Sequence, residues 1–247
     1  MWIGAGPTPN QEEIAWPTSL ARLCVTFGAP YESIEAGRSA PLERIWIAGP
    51  CLHPRVTRLP SVYYSLVALI TPMALSAITR TPAHALFDRV LPLREFVGHS
   101  VDRLFDLCVS APGAIECFDR VEAWVASHYH AWGQVEAAVD LIDRRQGRVA
   151  INEVRSSLSC SRWQLDRAFA EQVGMTAKRY ARLARLTRTL HLLQGDADLV
   201  TVAGEAGYFD QAHMNKETLS FCGHTPSELR AISSRPHGQS ALRAVKN

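Results

Sequence analysis

The sequence lacks the signals of several common classes of protein. Its 247 residues include six cysteines, and no two of them form a C-x-x-C pair. No uninterrupted apolar run reaches the roughly 18 residues that a transmembrane helix needs. The start of the chain lacks the basic and apolar regions of a secretory signal peptide. We therefore expect a soluble, cytoplasmic protein with reduced cysteines and no membrane contact.

The sequence also offers little that would support catalysis or metal binding. It contains no G-x-S-x-G motif, and the first 110 residues hold only three histidines, none in an H-x-H pair. His128 and His130 are two positions apart near a predicted helix end, which points their rings to different faces. We therefore expect no catalytic residue, no metal site and no cofactor. An enzyme that uses an N-terminal cavity is an alternative.

What the sequence does contain is an uneven distribution of charge. The net charge is only +2, but residues 1–143 carry 10 basic and 15 acidic side chains, a balance of −5, whereas residues 144–247 carry 16 and 9, a balance of +7. A cationic domain releases counterions when it meets phosphate. The length suits two domains. The charge therefore predicts a nucleic-acid-binding domain in the second part of the chain and a domain with another role in the first.

Two short segments of the basic part have the pattern of recognition helices. Segment 161–169 follows a helical segment and a break at Ser159, and segment 210–216 follows another helical segment and a break at Gly207. This is the helix-turn-helix arrangement, twice. In the first unit Leu165 and Phe169 lie on one helical stripe, with Ala168 and Gln172 beside them, and this stripe would face the core.

The opposite faces carry the candidate DNA-binding residues. They are Arg162, Trp163, Asp166 and Arg167 in the first unit and Gln211, His213, Asn215 and Lys216 in the second. Arginine can bond two acceptors of guanine, aspartate can accept from cytosine, and a tryptophan edge can meet a thymine methyl group. Taken singly, each segment could equally be an amphipathic helix with a solvated face.

A helix between the two units supports the DNA-binding interpretation. Its apolar positions recur at intervals of three and four and form one seam: Leu183, Leu186, Leu190 and Leu193. Its other faces are strongly basic. Arg182 and Arg185 are the candidate phosphate-contacting residues, because such contacts attract DNA without reading its sequence.

This region resembles the C-terminal DNA-binding domain of the AraC/XylS-type transcriptional regulators. The resemblance lies in segment 165–169 followed by Gly174, in segment 203–208 with Asp210 and Gln211, and in the closing segment 223–230. It implies two helix-turn-helix units that enter successive major-groove faces on one side of the duplex. The chain departs from the family at four positions: Ser159 replaces a glycine, Lys216 an arginine, and Thr218 and Cys222 phenylalanines.

The first half has strand patterns followed by helical ones. We predict strands at 19–27, 31–34, 44–48 and 62–70 and helices at 72–78, 93–97, 100–108, 115–129 and 135–145, with Thr71 as N-cap of the first helix. The first 15 residues would form an irregular arm or an edge strand.

The first half also resembles the β-rich, cupin-like sensor domain of some of these regulators, at Trp16–Pro17 and segments 23–28, 70–72 and 88–93. The resemblance implies a small barrel, an effector pocket and helices after it. The chain is shorter here than the relatives, so an open sheet or one completed by a partner is an alternative to a closed barrel. Aromatic residues are the candidates to line the pocket, or else plain core: Trp16, Phe27, Trp46, Tyr63 and Tyr64.

Together these patterns predict an α+β protein. A β-rich, cupin-like domain with trailing helices would span residues 1–130, an all-α domain of two helix-turn-helix units joined by a linker helix residues 131–235, and a flexible tail residues 236–247. We expect a sequence-specific transcriptional regulator that binds double-stranded DNA and a small effector of unidentified chemistry. RNA polymerase and a second copy of the chain are further candidate partners. The alternatives are an adaptor that binds an acidic protein and a thiol-based redox regulator.

Overall fold

The computed structural model describes residues 2–4, 11–35, 37–60, 63–129 and 133–233. Within these residues the first half is built from short antiparallel strands. They are β1 (Trp2–Gly4), β2 (Gln11–Ala15), β3 (Ala21–Thr26), β4 (Glu32–Glu35), β5 (Arg38–Pro41), β6 (Ile45–Ala48), β7 (Arg55–Leu59), β8 (Ser65–Ile70) and β9 (Val90–Pro92).

The strands form two separate sheets. One sheet has the order β1-β8-β3-β6-β9 and the other the order β2-β7-β4-β5. Strand β3 is the centre of the first sheet, because it pairs with β6 along one edge and with β8 along the other. The two N-terminal strands β1 and β2 each lie at the edge of a sheet, which agrees with the edge-strand alternative for the start of the chain. Neither sheet closes on itself among the described residues.

The side chains of strand β3 point alternately to the two faces of the first sheet. Ala21, Leu23 and Val25 are fully buried in the main core of this half, whereas Cys24 points to the other face and packs with Trp46. Because successive side chains of a strand face opposite ways, both faces of the sheet are covered. Helices cover the first face, and the second sheet lies over the other.

The helices occur in the order in which the sequence predicts them, and all but α1 follow the last strand. They are α1 (Pro72–Thr79), α2 (Arg94–Val97), α3 (Ser100–Val109), α4 (Ala114–His128), α5 (Gln134–Arg144), α6 (Ile151–Ser157), α7 (Arg162–Gln172), α8 (Ala177–Leu192), α9 (Leu199–Ala206), α10 (Gln211–Cys222) and α11 (Pro226–Ser233). Thr71 caps α1 as predicted, since its side chain accepts a hydrogen bond from the backbone N–H of Ala74. No helix of the described segments has the length and apolarity to cross a membrane.

Helices α5–α11 share one core, and the predicted seam of α8 lies at its centre. Leu183, Leu186, Leu190 and Leu193 are all buried there, together with Leu165 and Phe169 of α7. Trp16 and Met73 of the first half belong to the same cluster. The two halves are therefore packed against each other through apolar side chains.

Some predicted features lie elsewhere or outside the described residues. The strand predicted for 62–70 begins only at Ser65, and strands β5, β7 and β9 were not predicted. The domain boundary predicted near His130 and the tail predicted for 236–247 fall outside the described residues, so the division at 130 and 235 stays a prediction.

Candidate nucleic-acid interface

The first helix-turn-helix unit consists of α6 and α7. Ser161 is the N-cap of α7 and forms a capping box with Gln164, in which each side chain bonds the other residue's backbone N–H. Ser159 holds the turn with a φ of 50°, in the left-handed region. Here a serine adopts the backbone conformation for which the family uses glycine.

The predicted face of α7 is exposed, and its side chains pair with each other. The Nε of Arg162 lies 3.6 Å from a carboxylate oxygen of Asp166, and Arg167 donates a 2.7 Å hydrogen bond to Glu171. The Arg167 guanidinium also sits 5.3 Å from the ring centre of Trp163, which is 67% exposed. Exposed ion pairs contribute little to stability, so both arginines can exchange these carboxylates for DNA at small cost.

The second unit consists of α9 and α10. Gly207 ends α9 in the left-handed conformation, and Asp210 caps α10 by accepting a 2.7 Å hydrogen bond from the backbone N–H of His213. Both recognition helices thus begin at a side-chain cap, which fixes the direction of their first turn.

The four predicted residues of α10 differ in exposure. His213 and Lys216 are exposed and Gln211 is half-buried. The His213 ring lies edge-on to Tyr208, with 5.3 Å between ring centres. Asn215 is also half-buried, and its side-chain oxygen is buried without a hydrogen-bond partner among the described residues. The outward face of α10 in this structure is therefore carried mainly by the other three residues.

The predicted phosphate-contacting residues of α8 are engaged inside the domain. Arg182 donates a 2.8 Å hydrogen bond to Glu217 of α10 and lies 4.7 Å from the ring centre of Phe221. Arg185 lies over the ring of Tyr208 at 5.3 Å. Both cations position the second unit. The exposed cations at the start of α8, Lys178 and Arg179, form no ion pair with any described residue.

Glu217 is a functional residue that the sequence analysis missed. It is 5% exposed and occupies the same helical stripe as the buried residues Met214 and Phe221. A charged residue on an apolar stripe is almost never buried without a partner. That spacing was the available signal for an internal ion pair.

Two of the departures from the family lie at buried positions of α10. Thr218 and Cys222 stand where phenylalanines are usual, and both are buried. Phe221 turns into the core beside them, at 7% exposure, whereas Leu219 remains 47% exposed. A neighbouring position of the helix therefore contributes an aromatic ring to the same core.

The first half of the chain contacts the C-terminal ends of both recognition helices. Gly174, just after α7, lies so close to the backbone of His84 that a Cβ there would be 2.6 Å from the His84 nitrogen. Beyond α10, His224 lies edge-on to Trp16, with 6.0 Å between ring centres. The first half of the chain therefore contacts the C-terminal ends of both recognition helices and leaves their N-terminal turns exposed.

The loop that follows His84 is held in place by hydrogen bonds of Asp88. Asp88 accepts hydrogen bonds from the backbone N–H groups of Leu52 and His53, at 2.6 and 3.1 Å, and its second oxygen lies 2.9 Å from the His53 ring nitrogen. Leu52 and His53 form one wall of a cleft of about 430 Å³ between the two halves. Its other wall is Thr176, Lys178, Arg179, Arg182, Ser220 and Phe221.

The aromatic residues proposed for an effector pocket are divided between several places. Trp16 belongs to the core of the helical half. Trp46 and Tyr63 belong to small clusters on the second face of β3 and beside it. Phe27 and Tyr64 line an open apolar cavity of about 350 Å³ next to Phe105. They do not surround a single pocket.

The cysteines of the described residues are all free thiols. Burial raises the pKa of Cys24, Cys108 and Cys222 to about 12, and it also raises the pKa of Cys51 and Cys117. Because the thiolate is the reactive form, these groups stay protonated and unreactive at neutral pH. The burial of these five thiols therefore argues against the alternative of a thiol-based regulator that uses them.

Two capped helix-turn-helix units on a shared linker helix, behind an antiparallel β domain, form the arrangement of a DNA-binding transcriptional regulator. Residues 156–232 match the protein family described as a helix-turn-helix domain. The match spans both predicted recognition helices and agrees with the AraC-type resemblance of this segment. No curated protein sequence matches the chain.

Solved structures of ToxT from Vibrio cholerae have the same two-domain fold. The P21 crystal form superposes with a TM-score of 0.52 at 9% identity, over 93% of this chain and 97% of ToxT. ToxT bound to (E)-4-(8-methylnaphthalen-1-yl)but-3-enoic acid gives 0.51 at 11% identity, over 91% and 99%. Unsaturated fatty acid bound ToxT from strain SCE256 gives 0.50 at 10% identity, over 93% and 94%. At such identities the likeness concerns the fold alone.

Proposed function

We propose that this chain is a sequence-specific transcriptional regulator whose DNA reading is controlled by a small carboxylate effector. The observation that carries the proposal is the way the recognition helices are held. Their N-terminal turns are capped, polar and exposed, while their C-terminal ends lie against one domain. An interface that holds both reading units is the place where a ligand can change their relative position.

Helix α7 supplies the main sequence reading. Arg162 and Arg167 reach the two acceptors of guanine after they leave Asp166 and Glu171. Asp166 is then free to accept from cytosine, and the exposed edge of Trp163 meets a thymine methyl group. All four side chains lie within the first two turns of one helix, which matches the three or four base-edge contacts of a single recognition helix.

Helix α10 supplies a second, weaker reading surface. Gln211, His213 and Lys216 face outward and offer donors to base edges or phosphates. Asn215 joins this surface after its amide turns out of the domain, so its share is the smallest. Arg182 and Arg185 contribute positive potential toward phosphate while they position the unit.

The effector proposal rests on the cleft between the two halves. Lys178 and Arg179 are exposed, without ion-pair partners among the described residues, and they line this cleft beside Arg182. Two such cations on one wall favour a carboxylate or another anion. Two ToxT structures hold carboxylic acids, an aryl butenoic acid and an unsaturated fatty acid. We propose that this cleft binds a carboxylic acid as well.

The DNA-binding claim is tested by fluorescence anisotropy with duplexes tiled across the DNA upstream of the gene. Scrambled duplexes serve as competitors at about physiological salt. A preference of roughly a thousandfold for one tile establishes a sequence-specific regulator. Equal binding to every duplex contradicts the claim and favours the adaptor that binds an acidic protein.

The effector claim is tested without DNA, by calorimetry with an unsaturated fatty acid. The variant carries Lys178→Gln and Arg179→Gln, and Arg144→Gln is the control, because Arg144 is an exposed cation of the same domain outside the cleft. Binding should be lost in the double variant and kept in the control. Equal binding by all three proteins would show that the acid does not use this cleft.

A further inference from the structure

Phe209 is the most exposed large apolar side chain of the described residues. It is 93% accessible to solvent, whereas its neighbour Tyr208 is only 6% accessible. Tyr208 serves the fold, because its hydroxyl group lies 3.3 Å from that of Thr189 and Arg185 lies over its ring. Phe209 does nothing comparable for the domain, so its ring is available to a partner.

Phe209 is displayed on a rigid turn at the reading end of α10. Before it, the backbone N–H of Tyr208 donates to Ala203 at 2.9 Å and closes the end of α9. After it, Asp210 has an extended backbone, with φ −155° and ψ 175°, and caps α10. Extended residues send successive side chains to opposite sides. Tyr208 is buried in the domain, whereas Phe209, the residue next to the extended Asp210, is exposed.

The surroundings of Phe209 match DNA better than another protein surface. It stands two residues before Gln211 and four before His213, the outward residues of the first turn of α10. The domain that carries it is cationic, with a balance of +7 over residues 144–247. In the major groove the apolar feature of base edges is the 5-methyl group of thymine, and phenylalanine is among the side chains that contact it.

We propose that Phe209 reads a thymine by packing against its 5-methyl group where the second helix-turn-helix unit enters the major groove. The inference rests on the proposed function and adds to it a specificity-determining residue outside the polar face of α10. It also gives the two units a common feature. Each presents one exposed aromatic ring at the start of its recognition helix, Trp163 in α7 and Phe209 before α10.

The test uses a duplex that wild-type protein binds specifically, in which single thymines are replaced by deoxyuridine. Deoxyuridine pairs in the same way but lacks the methyl group. Loss of one buried methyl contact should weaken wild-type binding about three- to fivefold at one position of the half-site read by α10. Phe209→Ala should weaken binding to the thymine duplex by about tenfold and should be insensitive to deoxyuridine at that position.

Matched variants separate this reading from a general loss of apolar surface. Phe209→Leu keeps an apolar contact and should retain part of the deoxyuridine effect. Ile115→Ala removes another exposed apolar side chain, 67% accessible, from the first half of the chain, and should behave as wild type. Circular-dichroism melting curves check that each variant is folded.

The outcomes distinguish the inference from the function on which it rests. If wild-type protein binds no duplex specifically, both are overturned. If it binds specifically but Phe209→Ala binds equally well, or keeps the wild-type deoxyuridine profile, only the thymine contact is overturned. If every thymine loses its effect in this variant, Phe209 shapes the unit and does not read one base.

Discussion

Arg182 donates a 2.8 Å hydrogen bond to Glu217 and so ties the linker helix α8 to the second recognition helix α10. The two residues are unequally buried, since the Arg182 side chain is 35% exposed and that of Glu217 only 6%. Phe221 covers the guanidinium from α10 as well. The orientation of α10, and with it the second reading surface, depends on this pair.

The unequal burial predicts unequal effects of removing each partner. Arg182→Ala leaves a buried carboxylate without compensation and should lower the free energy of unfolding by about 3–5 kcal/mol. Glu217→Gln leaves a guanidinium that reaches water and should cost about 1–2 kcal/mol. Urea unfolding followed by circular dichroism measures both. Equal losses would mean that the carboxylate is not isolated from solvent.

The strained turn of the first unit offers a stabilising substitution. Ser159 has a φ of 50°, a conformation that costs a residue with a Cβ about 1–2 kcal/mol. Ser159→Gly should therefore raise the free energy of unfolding by about 1 kcal/mol. Ser156→Gly is the control, because the same change inside α6 should cost about 0.5–1 kcal/mol. Stabilisation by both changes, or by neither, would contradict the assigned strain.

A partly buried carboxyl group predicts the pH dependence of stability. Burial raises the pKa of Asp143 from 3.8 to about 6, and a hydrogen bond from the Tyr180 hydroxyl partly opposes this rise. The folded state then binds the proton more tightly than the unfolded state. Stability should therefore fall as pH rises from about 4 through about 6, and the loss is nearly complete by about pH 7.

Asp143→Asn keeps an acceptor for the Tyr180 hydroxyl without the charge. It should raise the free energy of unfolding at pH 7 by about 1–3 kcal/mol and should match wild type more closely near pH 4. Urea unfolding at pH 4, 5, 6 and 7 gives the difference curve. A difference that does not vary with pH would show that Asp143 titrates normally.

The structure also shows what the sequence could and could not predict. The helical half was predictable because its signals are local: Ser161 and Asp210 cap their helices, and the leucine seam of α8 has one clear period. Strands β5 and β7 gave no such signal. The four residues of β5 are exposed, and β7 carries polar residues at three of its five positions, so their pairing depends on distant partners.

The same limit applies to the candidate site. The exposure of Arg162 and Trp163 follows from the helical period, and the structure agrees with it. Arg182 was assigned to phosphate on its charge, but its partner Glu217 lies 35 residues away. The contact of Trp16 with His224 joins residues from the two ends of the described chain that are far apart in sequence. Neither contact can be predicted from the local sequence pattern.

Substitutions at two glycines separate the effect of the contact between His84 and the end of α7 from the effect of backbone strain. Gly174 and Gly223 both have positive φ, at 79° and 71°, and they follow α7 and α10. An alanine at either position carries the same backbone strain, about 1–2 kcal/mol. Only at Gly174 would the new Cβ also meet the His84 backbone, at 2.6 Å. Gly174→Ala should therefore cost about 1–3 kcal/mol more than Gly223→Ala, because the domains must separate. Urea unfolding compares them, and equal costs would contradict a tight contact there.

The last prediction concerns sequence reading by α7. Arg162→Ala should weaken binding to the specific duplex by about 1–3 kcal/mol and relax the preference at one base pair, with little effect on scrambled DNA. The control is Arg144→Ala, because Arg144 is also an exposed arginine paired with an aspartate four residues away on a helix of the same domain, but lies on α5. Competition anisotropy with single-base-pair variants of the duplex separates the two roles. If Arg162→Ala lowered the affinity for specific and scrambled duplexes alike, the side chain would contact phosphate, and the predicted base contact would be wrong.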